Sequence, residues 1–167
     1  KLQIDPDTTT DDQIIRFIRG ESISGFRSRT SVLGDIVNSR PVFAGPGNEG
    51  WSRLPGAAGT SYASFVDSKL TDPQAVYIGA NDGMLHAFDA GSGEELFAFV
   101  PRAVLPKLKA LTQDPYDHRF YVDGQQVVRD AYKEDKWKRV LVGTLGAGGR
   151  GVYAIDVTNP GNPYVLW

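Results

Sequence analysis

The sequence of 167 residues contains no cysteine and only two histidines. Without cysteine the protein has neither a disulfide framework nor a thiolate metal site, although this absence favours no particular compartment. A transition-metal site would need both histidines together with carboxylates. The sequence also lacks an apolar run long enough to cross a bilayer as a helix, so we expect no membrane span.

The chain also has little net charge. Its 18 lysines and arginines against 20 aspartates and glutamates give −2 at neutral pH. This balance provides no overall attraction to nucleic acid or anionic lipid, so we expect neither as a partner. What the sequence does contain is 41% hydrophobic residues divided by 19 glycines and 10 prolines. Such a composition is typical of a turn-rich β protein with one core.

Residues 75–100 have the pattern of three short strands joined by two tight turns. Residues 76–78 are β-branched or aromatic, as strands prefer. The sequence Asn-Asp-Gly at 81–83 and the sequence Asp-Ala-Gly-Ser-Gly at 89–93 supply residues suited to tight turns. This unit is an up-and-down antiparallel sheet, which has to pack against similar units to bury both faces.

A second copy of this pattern lies further along the chain. Residues 139–143 match residues 75–79 at an offset of 64, and residues 152–156 match residues 85–89 at an offset of 67. We also match residues 119–124 with 40–45 as the first strand of each copy, and residues 163–167 with 95–99 as the last. Residues 126–131 and 136–142 are predicted to form a hairpin with a charged tip at 133–136. Repeats of this kind are typical of propeller blades, and the alternative is two unrelated hairpins in a small sandwich.

We therefore predict a mainly β chain that forms an incomplete, two-blade portion of a β-propeller with short helical insertions. Residues 1–31 would form a linker, a short helix and a loop, residues 32–117 the first blade with a helical insertion, and residues 118–167 the second blade, truncated at its C-terminal end. Propellers have about four to eight blades, so we expect a fragment of a longer propeller. Its uncovered strand edges predict association of the isolated chain.

Three further segments carry helical patterns outside the strands. The first begins near Gln13, places Ile14, Ile15, Phe17 and Ile18 on one face, and ends at Gly20. A weak pattern predicts a short helix at 62–69, after a loop at 45–62. An amphipathic helix begins near the proline at 106, with apolar residues at 104, 105, 108 and 111.

Two motifs resemble ligand-binding sequences. Residues 146–151 fit the pattern G-x-G-x-x-G, but a nucleotide site needs a following helix, whereas residues 152–156 have a strand pattern. We interpret these glycines as a widened turn. Residues 5–11 begin like a calcium loop, but Thr10 replaces its glycine and Arg16 its bidentate glutamate. We interpret this acidic cluster as a solvated helix start, and residues 19–21, Arg-Gly-Glu, as a helix end.

The remaining candidate residues are two histidines and two repeated aspartates. His86 and His118 could share a metal site, but we interpret them as hydrogen-bonded structural residues. Asp89 and Asp156 occupy the same position in the two copies, at a strand end before a turn, which favours capping of backbone N–H groups. We therefore assign no catalytic, cofactor-binding or metal-binding residue and expect no enzyme.

Four segments together resemble the C-terminal propeller of the PilY family. They are LGDIVNSRP at 33–41, YIGANDGMLHAF at 77–88, FAFVP at 97–101 and VGTLGAGGRGVYAIDV at 142–157. The resemblance covers nearly the whole chain from Gln13 onward. Family propellers can bind calcium through an Asp-rich loop, which has no match here, so calcium is expected only in downstream blades.

The resemblance implies that the fold is a modified quinoprotein-like β-propeller. It also implies a non-catalytic, structural and adhesive propeller segment of a type IV pilus biogenesis protein. Such a protein would support pilus assembly, twitching motility and surface attachment. Its expected partners are minor pilins or pilus-tip components and a host or abiotic surface, and its expected location is the periplasm, cell surface or pilus tip of a Gram-negative bacterium. Two alternatives remain open, a fragment of a quinoprotein (PQQ) dehydrogenase and a scaffold propeller of outer-membrane assembly.

Overall fold

The computed structural model describes residues 8–167, with side chains from residue 11 onward, and contains two four-stranded sheets. The helices are α1 (Thr8–Ile18) and α2 (Gly56–Ser68), with 3₁₀ helices at Trp51–Arg53, Arg102–Thr112 and Gly146–Gly148. The strands are β1 (Val42–Ala44), β2 (Ala75–Gly79), β3 (Leu85–Asp89), β4 (Glu95–Phe99), β5 (Gln126–Lys133), β6 (Lys136–Thr144), β7 (Val152–Asp156) and β8 (Tyr164–Val165).

Each sheet is an antiparallel meander in which consecutive strands are neighbours. The first blade has the order β1-β2-β3-β4 and the second blade has the order β5-β6-β7-β8. The segments 76–78 and 140–142 therefore lie in separate sheets and not in one parallel sheet. The prediction of a mainly β, two-blade portion of a propeller is confirmed.

The tight turns contain acidic side chains that accept hydrogen bonds from backbone N–H groups, and glycines at positions with positive φ. Between β2 and β3, Asp82 Oδ1 accepts a hydrogen bond of 3.1 Å from the Met84 N–H, and Gly83 adopts a φ of 100°. That positive φ favours glycine because it has no Cβ. Gly20 ends α1 in the same way, with a φ of 108°. Its N–H donates to the Phe17 carbonyl in the Schellman arrangement of a helix end.

The first strand of the second blade is β5 and not the segment 119–124, so that match was wrong. Residues 119–124 contain no strand, and their backbone pairs with loops: Val122 N–H donates to the Ala80 carbonyl and Asp123 N–H to the Leu145 carbonyl. Tyr121 and Val122 are fully buried between the blades. The run of three apolar residues in this segment therefore reflects burial, which a strand and an extended connection share.

The helices also differ from the predicted ones. Helix α2 begins at Gly56, inside the predicted loop, because tertiary contacts support its small residues. Trp137 of β6 donates an indole N–H to the Ala58 carbonyl at 2.9 Å, and Gly59 packs so closely on Leu54 that a Cβ would collide with its carbonyl. The segment Arg102–Thr112 is a 3₁₀ helix, and Pro106 within it has no N–H for an α-helical bond.

Helix α1 packs on the core with a narrower face than predicted. It begins at Thr8, before the expected start, and residues 5–7 of the acidic motif lie outside the described residues. Ile14, Phe17 and Ile18 are buried, but Ile15 is 38% exposed. At 3.6 residues per turn, residues 14, 17 and 18 lie on the side of the helix that contacts the core, and Ile15 lies outside that side.

The two blades pack face to face around one shared core. We call the side of the first blade that carries Tyr77 its front face, and this face lies against the side of the second blade that carries Leu141. The rings of Phe99 and Tyr153 meet across this contact at a centroid distance of 5.5 Å. Gly79 lies so close to the Val122 carbonyl that a side chain would not fit.

Candidate functional site

The turn at residues 81–82 brings both histidines of the chain next to carboxylates. His86 is buried, with Nδ1 2.6 Å from Glu95 Oε1 and Nε2 3.0 Å from Asp82 Oδ2. Burial alone would lower the pKa of His86, but the hydrogen bonds and negative charges of Asp82 and Glu95 outweigh this effect and raise the pKa above 6.5. In the protonated form both ring nitrogens donate, one to each carboxylate.

His118 lies on the other side of the same turn and is half-exposed. Its Nε2 lies 2.9 Å from Asp35 Oδ2, which also accepts a hydrogen bond of 3.1 Å from the Asn81 amide. Partial burial would raise the pKa of Asp35, but the hydrogen bonds from Asn81 and His118 lower it overall. Within the described part of the chain, no group of three or more His, Asp or Glu side chains is arranged to hold a metal ion. The histidines have separate carboxylate partners.

The glycine-rich segment 146–151 forms the turn between β6 and β7, as interpreted from the sequence. It contains the 3₁₀ turn Gly146–Gly148, and the following element is a strand. Lys107 Nζ donates to the Gly148 carbonyl at 2.5 Å, so the nearby cation is hydrogen-bonded to the backbone of this turn. A Cβ on Gly148 would collide with the Tyr121 carbonyl. Close packing accounts for this glycine.

The repeated aspartates cap turns in both blades. Asp89 Oδ1 accepts hydrogen bonds from the backbone N–H groups of Gly91 and Ser92 at 2.9 and 2.8 Å. Asp156 Oδ1 accepts from the N–H and the hydroxyl of Thr158. Asp156 also lies 3.0 Å from Lys138 Nζ. The prediction that these two residues cap the backbone is confirmed.

A cleft of about 280 Å³ lies between helix α1, the loop at 27–35 and the turn at 81–82. Two arginines line it. Arg29 donates 2.6 Å to the Phe17 carbonyl and its guanidinium carbon lies 3.8 Å above the Phe17 ring. Arg27 donates 2.6 Å to the Leu111 carbonyl and stacks 3.9 Å above the Tyr116 ring. Backbone carbonyls and aromatic rings thus hold both guanidinium groups at the cleft.

Arg27 and Arg29 share the cleft with the carboxylates of Asp35 and Asp82, although neither arginine forms an ion pair with a described side chain. Among the described side chains, the ion pairs formed by arginine involve Arg16, Arg119 and Arg139. Burial and the neighbouring Arg27 lower the pKa of Arg29. This cleft was missed by the sequence analysis, because the ring under Arg27 and the carbonyl that it contacts lie more than eighty residues away. The one local feature that could have indicated the cleft is the presence of Arg27 and Arg29 shortly after the end of helix α1.

A buried ion pair joins the helical insertion of the first blade to the second blade. Lys69 Nζ, at the end of α2, lies 2.6 Å from Asp130 Oδ2 on β5, and both side chains are almost fully buried. The Tyr62 hydroxyl donates to the same oxygen at 2.6 Å. Burial, with the hydrogen bond to Asp130, raises the pKa of Tyr62 to about 12. This buried ion pair and hydrogen bond connect α2 to β5.

A hydrogen-bonded connection also joins the blades beside the turn at 81–82. Asp123, which is buried, accepts from the Asn38 backbone N–H at 3.0 Å and from the Asn38 side-chain amide at 2.7 Å. Ser39 donates to Gln126 and accepts from the Gly79 N–H. The segment 33–41 therefore connects the two blades.

Taken together, two packed antiparallel blades with capped turns and helical insertions define this chain as two consecutive blades of a β-propeller. Comparison with known proteins agrees. Residues 33–167 match the family model described as the PilY1 beta-propeller domain. The chain belongs to the PilY1 β-propeller family.

The relatives are much longer proteins. A type IV pilus biogenesis factor PilY1 homolog of Xylella fastidiosa is 45% identical over 93% of this chain and 13% of its own length. The type IV pilus biogenesis factor PilY1 of Pseudomonas aeruginosa is 43% identical over 100% of this chain and 15% of its own length. The crystal structure of the Pseudomonas aeruginosa PilY1 C-terminal domain superposes with a TM-score of 0.51 at 49% identity, over 64% of this chain and 20% of that one.

The chain thus spans about one-seventh of the curated relatives that it matches. Among residues 8–167, we find no helix with the length and apolar character that crossing a bilayer requires.

Proposed function

We propose that this chain is a non-catalytic structural and adhesive propeller segment of a type IV pilus biogenesis protein. The observation that carries the proposal is the match of residues 33–167 to the PilY1 beta-propeller domain, together with relatives named as type IV pilus biogenesis factors. The protein would support pilus assembly, twitching motility and surface attachment. Its partners would be minor pilins or pilus-tip components and a host or abiotic surface, at the periplasm, cell surface or pilus tip.

The chemistry of the described residues supports a role in contact. The candidate residues act on the fold itself: Asp89 and Asp156 cap turns, and His86 is held between two carboxylates. The proposal assigns no cofactor to this segment. The surface that remains available for contact includes the cleft lined by Arg27, Arg29, Asp35 and Asp82, whose charged groups of both signs suit a polar group on a partner.

The proposal is tested in the bacterium that encodes the protein. A deletion strain is complemented with the full-length gene carrying the wild-type segment or the double variant Arg27→Glu and Arg29→Glu. We expect deletion to reduce surface pili, twitching and attachment, and the wild-type gene to restore all three. Lys136→Glu at the exposed hairpin tip is a single charge reversal away from the cleft and should complement fully. Unchanged piliation, twitching and attachment in the deletion strain would contradict the proposal.

Two biochemical arms separate the alternatives. Full-length protein incubated with pyrroloquinoline quinone, calcium and a redox dye should show no turnover, and steady dye reduction would favour a quinoprotein dehydrogenase. Affinity purification from the native envelope should recover pilus components. Recovery of outer-membrane assembly proteins without pilus components would favour the scaffold alternative.

A further inference from the structure

The cleft that contains Arg27 and Arg29 lies at one end of the first blade and not on a sheet face. Because consecutive strands are antiparallel, the start of β1, the turn between β2 and β3 and the end of β4 lie at the same end of this blade. The residues that line the cleft belong to the segments around these strand ends, to α1 and to the loop after α1. Blades of a propeller pack through their sheet faces, so the cleft lies outside the surfaces that neighbouring blades cover.

The two carboxylates of the cleft are held by donors within the fold. Asp82 Oδ2 accepts a hydrogen bond of 2.7 Å from the Gly34 N–H and lies 3.0 Å from His86 Nε2. Asp35 Oδ2 lies 2.9 Å from His118 Nε2. Among the described side chains, the fold therefore pairs both carboxylates with histidines and gives the two arginines of the cleft no counter-ion.

Both arginines also keep hydrogen-bond donors that the described residues do not use. A guanidinium group has five N–H donors in one plane. Arg27 donates through Nε to the Leu111 carbonyl. Arg29 donates through Nη2 to the carbonyls of Phe17 and Glu21. Within residues 11–167, Nη1 of each arginine has no hydrogen-bond partner. Because carbonyls and aromatic rings hold both groups in place, their remaining donors are preorganised for a ligand.

The charges around the cleft favour a singly charged anion. Burial, together with the charge of Arg27, lowers the pKa of Arg29, and a bound anion would offset both effects. Guanidinium groups match the oxygens of carboxylates and phosphates, to which they donate parallel N–H bonds. A phosphate group carries about −1.5 to −2 charges, which Asp35 and Asp82 in the same cleft would repel. A carboxylate carries a single charge and is the better match.

The rim of the cleft is apolar, which suits a carboxylate on a hydrocarbon stem. Val32 and Leu33 line the cleft and are 53% and 39% exposed. The cleft has a volume of about 280 Å³, which equals roughly nine water molecules at about 30 Å³ each. This space admits one side chain. The side chains of glutamate and aspartate have the required form, a carboxylate on one or two methylene groups.

We propose that the cleft binds the carboxylate of a glutamate or aspartate side chain on a partner protein. Arg27 and Arg29 donate hydrogen bonds to the carboxylate oxygens, and Val32 and Leu33 contact the methylene groups. The preference for a carboxylate rests on the cleft alone. That the carboxylate belongs to a protein rests on the function proposed above, whose partners are pilus components.

The experiment measures binding of the peptide Gly-Ser-Glu-Ser-Gly to the full-length protein by fluorescence anisotropy. The peptide carries a neutral fluorophore and an amidated C-terminus, so its only carboxylate is that of glutamate. The same peptide with glutamine is the matched probe, because it keeps the shape and loses the charge. At low ionic strength, where exposed charges are screened least, we expect the Kd of the glutamate peptide to be about tenfold lower. This comparison uses the wild-type protein and needs no variant.

Variants test whether the peptide binds in the cleft. Arg27→Gln and Arg29→Gln should each remove most of the preference for the glutamate peptide. Arg53→Gln removes an exposed arginine from the connection between β1 and β2, at the opposite end of the blade, and should keep the preference. Circular dichroism checks folding, because Arg27 and Arg29 also bind backbone carbonyls. Arg27→Lys or Arg29→Lys replaces a variant that unfolds, and the preference should still fall because lysine lacks the planar fork.

Three outcomes would overturn the proposal. Equal affinity of the wild-type protein for the two peptides would show that the cleft does not select a carboxylate. Loss of the preference in Arg53→Gln equal to that in Arg29→Gln would show a general effect of charge. Glucuronate that displaces the glutamate peptide at a lower concentration than N-acetyl-glutamate amide would assign the cleft to an acidic sugar.

These results are separate from those of the deletion strain. Equal peptide affinities, in a protein that restores pili, twitching and attachment, refute this inference and leave the proposed function standing. A preference for the glutamate peptide, in a protein whose deletion changes none of the three, refutes the proposed function and leaves a carboxylate site without its pilus partner.

Discussion

Replacing Lys69 by methionine removes one half of the buried ion pair that joins helix α2 to the second blade. Methionine has a similar length, so the change removes the charge and the hydrogen bonds while leaving little empty space. In the protein, Lys69 Nζ contacts Asp130 Oδ2 at 2.6 Å and the Gly47 carbonyl at 2.7 Å. The variant therefore leaves the Asp130 carboxylate buried without its cation.

The expected loss of stability depends on the contacts that Asp130 retains in the Lys69→Met variant. Removing one partner of a buried ion pair costs about 3–5 kcal/mol in free energy of unfolding. Asp130 retains the hydrogen bond from the Tyr62 hydroxyl, and Arg139 Nε lies 3.9 Å from its other oxygen. We therefore expect the lower end of that range, about 3 kcal/mol. Adding Asp130→Asn removes the stranded charge and should recover about 2 kcal/mol of this loss.

The assay is urea denaturation followed by tryptophan fluorescence at one protein concentration, since any self-association would add to the apparent stability. Trp137 is a local reporter because its ring lies 4.5 Å from Tyr62 and stacks on Phe65. Arg16→Met disrupts the exposed pair with Glu21 and is the control, for which we expect no resolvable change. The reasoning would be refuted if Lys69→Met unfolded at the wild-type urea concentration, or if the double variant were no more stable than Lys69→Met.

Three further changes test other contacts. The folded-state pKa of His86 is raised, so its stabilising contribution is present below about pH 6.5 and is lost as the pH rises through the folded pKa. In His86→Gln, the urea midpoint should therefore lose this part of its pH dependence. A variant with the same pH profile as the wild type would contradict the assignment. In Gly34→Ala the new Cβ would collide with the backbone nitrogen of Asp82, which should cost about 1–3 kcal/mol in unfolding free energy. In Gly47→Ala the new Cβ meets open space, so the thermal midpoint should stay unchanged. Equal midpoints for the two variants would refute the steric argument. Gly20→Ala should lower the thermal midpoint by the equivalent of about 1 kcal/mol, because alanine is strained at a φ of 108°, and a midpoint at or above the wild type would show that the helix end relaxes.

Most strands could be predicted from the sequence because their signals are local. The strand and turn residues between 75 and 100 carry β-branched side chains, glycine and capping aspartate within a few residues of one another. The misplaced first strand of the second blade shows the limit of this reasoning. Segments 119–124 and 126–133 have similar apolar patterns, but only the second has a neighbouring strand for its backbone N–H and C=O groups.

Of the candidate site, the sequence predicted the capping aspartates and the turn at 146–151 but not the arginine cleft. A capping aspartate reaches N–H groups two or three residues away, so the motif contains its own partner. The contacts of Arg27 lie on the segment 111–116, and no local pattern connects the two. The same holds for helix α2, whose small residues become helical against Trp137.

The amino-acid sequence by itself determined the order of strands and turns, the two repeats and the resemblance to the PilY family, because each depends on residues close together in the chain. Only the tertiary structure decided which face of each blade is covered. Side chains alternate along a strand, so a pairing shift of one residue, too small to recognise in an approximate repeat, turns a whole apolar face from the core towards solvent.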